Sequence, residues 1–264
     1  MFMGLIGVPV SFALYWVMLR GKKDDPFPKW GLLRLVIAGV ISTVAASLLS
    51  MPISGVLAFV QAGTVTDLGG LIQIIKTNPE VLQEMIEKSN NTEAAKLFWR
   101  FIGMFFSAGL LEEGLKYLTC RIAIRKEGMV RTWMDAVIAF AFVGITFELL
   151  ENIFFGAGAD LETTIIRSLS PAHFVFDIIM GYLFGKYLVT GEKKYSWLAL
   201  IIPTVYHTIS NTLVHYPYIS IAIVISYGVL AVLIVIKVIL WQKNKTLDVP
   251  VIIDPSGHRL QTQS

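Results

Sequence analysis

Cysteine is nearly absent from this chain, and charge is scarce. A lone Cys120 in 264 residues rules out an intrachain disulfide and leaves the redox compartment unreadable. Asp, Glu, Lys and Arg together make up 16% of the residues, where a soluble domain carries about 25%. The formal charge of +3 is small and its basic residues sit in short connectors, which argues against nucleic acid as a partner. Neither H-E-x-x-H nor G-x-S-x-G occurs, so a single-helix zinc motif and a nucleophile elbow are both missing. Internal repeats and low-complexity segments are missing too.

What is present is apolar. Hydrophobic residues make up 55% of the chain and the mean hydropathy is +0.67, a balance suited to lipid. Several apolar runs approach the roughly 20 residues needed to cross about 30 Å of hydrocarbon. The expected fold is an all-α, polytopic membrane bundle of about seven transmembrane helices, with spans near 1–19, 31–59, 101–124, 135–156, 164–189, 196–215 and 218–241. The first span has no basic residue before its apolar stretch and no small-residue cleavage site, so it reads as retained. Residues 1–241 form one transmembrane domain in this reading, and 242–264 a short, polar, peripheral cytoplasmic tail.

Lys and Arg set the orientation. Arg20, Lys22, Lys23, Lys29 and Arg34 follow the first span, and Arg121, Arg125, Lys126 and Arg131 the third. Lys193 and Lys194 follow the fifth, and Lys243 and Lys245 the seventh. These connectors alternate, whereas those at 157–163 and 216–217 carry no Lys or Arg. The expected protein is a multi-pass protein of the cell membrane, N-terminus outside and C-terminus in the cytoplasm. The long connector at 60–96 then lies outside. Within it Asn78-Pro79-Glu80 marks a helix start, and Val81, Leu82, Met85 and Ile86 recur at the spacing of an amphipathic surface helix.

Each ionisable residue inside a span costs roughly 2.5–3.5 kcal/mol, so it needs a partner, a cavity or a task. Here they come as a set: Glu112, Glu113 and Lys116 on the third span; Glu148, Glu151 and Asn152 on the fourth; His173 and Asp177 on the fifth; His207 and Asn211 on the sixth. Residues three and four apart share a helix face. Lys116 can therefore reach both carboxylates of its span, and the other pairs each face one way. Any pair alone could be a neutralised ion pair or an interhelical hydrogen bond. Four on successive helices point to one cavity whose carboxylates, imidazoles and amides suit the activation of water. Zinc is chemically allowed, with Glu113, His173 and His207 as candidate ligands. A proton- or ion-coupled transporter could use the same set, although inverted repeats and broken helices in matching halves are lacking.

These motifs resemble the PrsW family of intramembrane proteases, distant relatives of the CAAX prenyl endopeptidases. The likeness runs in order over about 101–212: Glu112-Glu113-Gly114-Leu115-Lys116; Phe147 through Glu151-Asn152; Arg167, Pro171 and His173 followed by Met180 to Lys186; and Pro203, His207 and Asn211. It implies hydrolysis of a peptide bond in a membrane-anchored protein, near its external juxtamembrane region, by glutamate-activated water. The implied partners are the lipid bilayer and a single-span substrate such as an anti-sigma factor. Carried over by position, Glu112 and Glu113 are the catalytic carboxylates, and His173 and His207 complete the water and oxyanion machinery. Lys116, Glu151, Asn152, Asp177 and Asn211 support them. Glu151 stands where the CAAX relatives have histidine, and Asp177 where a small or apolar residue is expected.

Overall fold

A computed structural model describes residues 5, 7–20, 22, 26–61, 80–81, 83–84, 87, 92–156, 164–167, 170–244, 248–258 and 260. Among the described residues the chain is all α, with no strand and one isolated bridge, Thr132 to Pro250. In chain order the helices are α1 (Val8–Arg20), α2 (Gly31–Gln61), α3 (Glu93–Met104), α4 (Leu110–Ala123), α5 (Trp133–Gly156), α6 (Ala172–Thr190), α7 (Lys193–Leu213) and α8 (Pro217–Asn244). A π-helical turn, Phe105–Gly109, joins α3 to α4.

Among the described residues five segments are long and apolar enough to cross a membrane: Gly31–Ala58, Glu93–Ala123, Trp133–Phe154, Thr164–Thr190 and Tyr218–Asn244. Two of the seven expected spans stand apart for physical reasons. The described helix of the first is 13 residues long, about 20 Å at 1.5 Å per residue, short of the hydrocarbon thickness. The sixth, α7, is about 31 Å long by the same measure, but Lys193, Lys194, His207, Ser210 and Asn211 make it more polar than the five. The third begins at Glu93 and not at 101, because Thr92 caps it by accepting the Ala95 N–H at 3.1 Å. Of the stripe expected in the 60–96 connector, Val81 is helical, and Leu82, Met85 and Ile86 lie outside the described residues.

The α5–α6 pair is the centre of the bundle. Its apolar windows are 72% and 67% buried by protein, against 11% for α8, whose remaining surface is apolar and suits lipid. Gly181 permits this: a Cβ there would sit 2.8 Å from Val137 Cα, and Gly185 follows one turn later on the same face. The pair is the small-xxx-small device by which membrane helices approach closely, and it gives the Met180–Lys186 segment a packing reason.

At one end of the bundle the tail turns back over α5 and α6, so it is not peripheral. Trp133 N–H donates to Val249 O at 2.8 Å and Val251 N–H to Arg131 O at 3.0 Å, while Ile252 and Ile253 N–H share Leu188 O at 2.9 and 3.0 Å. Val251 is buried there. At the same end Lys22 Nζ lies 2.6 Å from Asp135 Oδ1, whose other oxygen accepts from the Arg131 and Thr132 N–H groups. The intramembrane polar set lies toward the opposite end, where α5 finishes and α6 begins.

Candidate functional site

Lys116 stands at the hub, with no solvent exposure. Its ammonium has three N–H donors, and three acceptors meet it: Asp177 Oδ2 at 2.6 Å, Glu113 Oε2 at 2.9 Å and His173 Nδ1 at 3.1 Å. The expected grip on both α4 carboxylates is corrected on this point. Lys116 holds Glu113 and not Glu112, because Asp177 and His173 draw its Nζ toward α6. Asp177 reaches it because α5 carries Gly144 opposite; a Cβ there would lie 2.7 Å from Asp177 Cβ. The departure from a small or apolar residue at 177 thus supplies the second counter-charge of a buried lysine.

Lys116 also fixes a tautomer. Since it donates to His173 Nδ1, the ring carries its proton on Nε2 and donates it to Glu151 Oε2 at 2.8 Å. Glu151 Oε1 is held from outside by Arg167 at 3.0 Å. His207 has the other arrangement. Its Nδ1 lies 2.8 Å from Glu113 Oε1 and its Nε2 3.0 Å from Asn211 Nδ2. Carboxylate on one side and amide donor on the other put the proton on Nδ1 and leave a lone pair on Nε2. Aromatic rings wall the centre: Phe147 lies 4.7 Å from the His173 ring, Phe176 stacks on His207 at 5.0 Å, and the two imidazoles are 5.1 Å apart.

Glu112 has a buried oxygen without a hydrogen bond, as do Glu113 (Oε2) and Asp177 (Oδ1), but those two have their other oxygen held, Glu113 by His207 and Asp177 by Lys116. The unbonded oxygen of Glu112 is Oε2, with His173 Nε2 3.8 Å away. Among the described residues Glu112, His173 and His207 form the group able to hold a metal ion, one ligand atom from each lying within 4.8 Å of the others. The sequence put Glu113 in that place; Glu113 is instead taken up by Lys116 and His207. The residues fit zinc, which takes carboxylate oxygen and imidazole nitrogen from three protein ligands and keeps a fourth position open. Glu112 offers a free oxygen, and His207 offers Nε2 with a carboxylate behind Nδ1, the usual support of a ligating histidine. His173 joins them only if Lys116 turns its donor away from Nδ1, because a ligating Nε2 needs the proton on Nδ1 and an ammonium has no lone pair to accept it.

The structure therefore brings together Glu112, Glu113, Lys116, Glu151, His173, Asp177, His207 and Asn211. Asn152 stands one step back, its Nδ2 3.2 Å from Glu148 Oε1. Phe176 was not legible as a site residue, since it reads as core; Glu148 belongs to the intramembrane set by its spacing of three from Glu151, but the sequence assigns it no role.

An all-α bundle with this buried centre defines a class, a polytopic membrane protein with a cluster of carboxylates and imidazoles between its helices. The particular family follows from comparison. The family described as PrsW family intramembrane metalloprotease matches residues 28–241, and the chain belongs to it. Among proteins named Protease PrsW, that of Bacillus subtilis (strain 168) is 30% identical over 131 residues, covering 48% of this chain and 58% of that protein. That of Clostridioides difficile (strain 630) is 32% identical over 150 residues, 53% of this chain and 60% of that protein. For the Geobacillus kaustophilus (strain HTA426) protein the figures are 32% over 113 residues, 41% and 50%. The chain spans 50% to 60% of the length of these three relatives. No solved structure matches it.

Proposed function

We propose that this chain is an intramembrane endopeptidase whose reacting centre is Glu112, His173 and His207. The observation that carries this reading is the Glu112 Oε2 atom, buried without a hydrogen-bond partner beside two imidazoles. Every other carboxylate of the cluster has a protein partner on at least one oxygen. An acceptor kept free in a low-dielectric site is poised for something that arrives, and water with a scissile carbonyl supplies it. As the trio stands, Glu112 takes the proton of the attacking water, while the amide of Asn211 and the Nε2–H of His173 are the donors nearest a developing oxyanion. A zinc ion held by the same three residues would supply Lewis-acid polarisation of the carbonyl and the water. In that case Glu151, partly exposed and set against His173, remains as proton acceptor.

The substrate class is a single-span membrane protein, an anti-sigma factor among the candidates, cut near its external juxtamembrane region. The polar set lies toward the end of the bundle away from the basic connectors, which the charge alternation assigns to the outside, with the N-terminus out and the C-terminus in the cytoplasm. A cut there exposes a backbone carbonyl without unwinding the substrate deep in lipid, where unsatisfied backbone groups cost several kcal/mol each.

The test is purified protein in detergent with single-span substrates of known orientation, with and without 1,10-phenanthroline, the cut mapped by mass spectrometry. Cleavage on the external side, abolished by the chelator and restored by zinc, is the expected result. Cleavage indifferent to chelator would remove the metal and leave Glu112 as base. A cytoplasmic cut would overturn the orientation, and a parent that cuts no substrate while exchanging ions or protons across liposomes would overturn the protease.

A further inference from the structure

One buried acid of the cluster has no part in the chemistry above. Glu148 lies on α5, is 6% exposed and points neither at Lys116 nor at the imidazole rings. Its Oε2 accepts the backbone N–H of His173 at 2.8 Å, and Asn152 Nδ2 holds its Oε1 at 3.2 Å.

The reason lies at the start of α6. The first N–H groups of a helix lack intrahelical partners and are normally met by a Ser, Thr, Asp or Asn side chain at the N-cap. The residue in that position is Pro171, whose side chain has no oxygen, and no side-chain cap is made from it. The chain nevertheless starts α6 inside the protein, with Ser170 and Pro171 both buried. The orphan donor at His173 thus needs an acceptor from elsewhere, and α5 provides one. A carboxylate there also meets the positive end of the helix dipole.

We infer that Glu148 is a positioning residue of the catalytic centre: it caps α6 from the neighbouring helix and so fixes the depth of the His173 imidazole between Glu112, Lys116 and Glu151. Asn152 acts through it by orienting its carboxylate. The capped residue is the histidine itself, so a shift of the α6 start moves the ring directly. This inference rests on the reading of His173 as part of the reacting centre, and the cap can be measured without catalysis.

Three variants test it in the full-length protein in detergent: Glu148→Gln, Glu148→Leu, and Glu148→Leu with Pro171→Asp. Gln keeps a carbonyl acceptor, Leu removes it, and Asp at 171 supplies a cap from the ordinary N-cap position. Cleavage kinetics and amide hydrogen exchange at His173 are read on each. Glu148→Leu is expected to lower kcat about 100-fold, the size of effect a misplacement near 1 Å produces, with KM little changed and the His173 amide deprotected. Glu148→Gln should stay within about 5-fold of the parent and keep its protection, and Pro171→Asp should recover at least about 10-fold of the loss, in line with a restored cap. Equal losses in the Gln and Leu variants would overturn the capping role, as would a protected His173 amide in Glu148→Leu. If Leu does not fold, Gln and its exchange pattern decide. If the parent cleaves nothing, the proposed function fails, while exchange in the same samples still decides the cap.

Discussion

Replacing Lys116 with methionine removes the one cation inside the hub while keeping an unbranched side chain of similar volume. Glu113 and Asp177 would then be left at full burial, having lost partners at 2.9 and 2.6 Å, and His173 Nδ1 would lose its donor. Breaking a buried ion pair by removing one partner costs about 3–5 kcal/mol, because the other charge stays unpaired in a low dielectric. Two carboxylates share this lysine, but Glu113 retains the Nδ1–H of His207 at 2.8 Å. Asp177 has no such reserve, its Oδ1 being buried without a partner. Most of the cost should therefore sit at Asp177. Lys116→Met is expected to lose about 4 kcal/mol, and adding Asp177→Asn should return about half, since the amide carries no charge to strand. The assay is reversible denaturant unfolding in mixed micelles for the parent, both single variants and the double, read as a double-mutant cycle with circular dichroism. A loss below about 1 kcal/mol in Lys116→Met, the worth of an exposed pair, or strict additivity of the two changes, would refute the buried-hub reasoning.

Two further outcomes are expected. Glu112→Gln and Glu113→Gln should each lower proteolysis by at least about 100-fold, the usual worth of a positioned acid or base; only Glu113→Gln should also lower the unfolding midpoint, because Glu112 Oε2 makes no hydrogen bond to lose. In the tail, slight burial pushes the Asp254 carboxyl up, but the N–H groups of His258, Ser256 and Gly257 outweigh it and hold the group below its ordinary range. Its contribution is then complete above the unfolded carboxyl range near pH 4 and fades as pH falls through the lowered value. Limited proteolysis after Ile253 should accelerate only under those acidic conditions in the parent and at neutral and acid pH alike in Asp254→Asn; a variant as resistant as the parent at neutral pH would contradict it.

The bundle was legible because lipid leaves a strong mark: long apolar runs need no tertiary context to be recognised. The co-facial residues were legible because i, i+3 and i, i+4 neighbours share a side whatever the helix packs against. Partnership across helices was not. Lys116 could reach Glu112 or Glu113 by spacing alone, and Asp177 on another helix made the choice. Glu148 reads as a second copy of Glu151 until α6 is seen to begin at a proline that cannot cap it. The tail does carry a signal: Val249, Pro250, Val251, Ile252 and Ile253 are five apolar residues inside a segment that is otherwise mostly polar. Composition over the whole tail hid them, and only backbone pairing with Arg131, Trp133 and Leu188 gives them a place.

That pairing bears on how the protein is made. The membrane helices emerge from the ribosome in order, and α5 and α6 can meet through Gly181 and Gly185 as soon as both are inserted. Their ends at Arg131, Trp133 and Leu188 find their partners only after α7 and α8 have also been synthesised and Val249–Ile253 has followed. A nascent chain halted after α8 would hold every helix described above and every residue of the buried centre, yet keep one end of its central pair unclosed. Backbone groups there would be open to chaperones and proteases until the tail arrives.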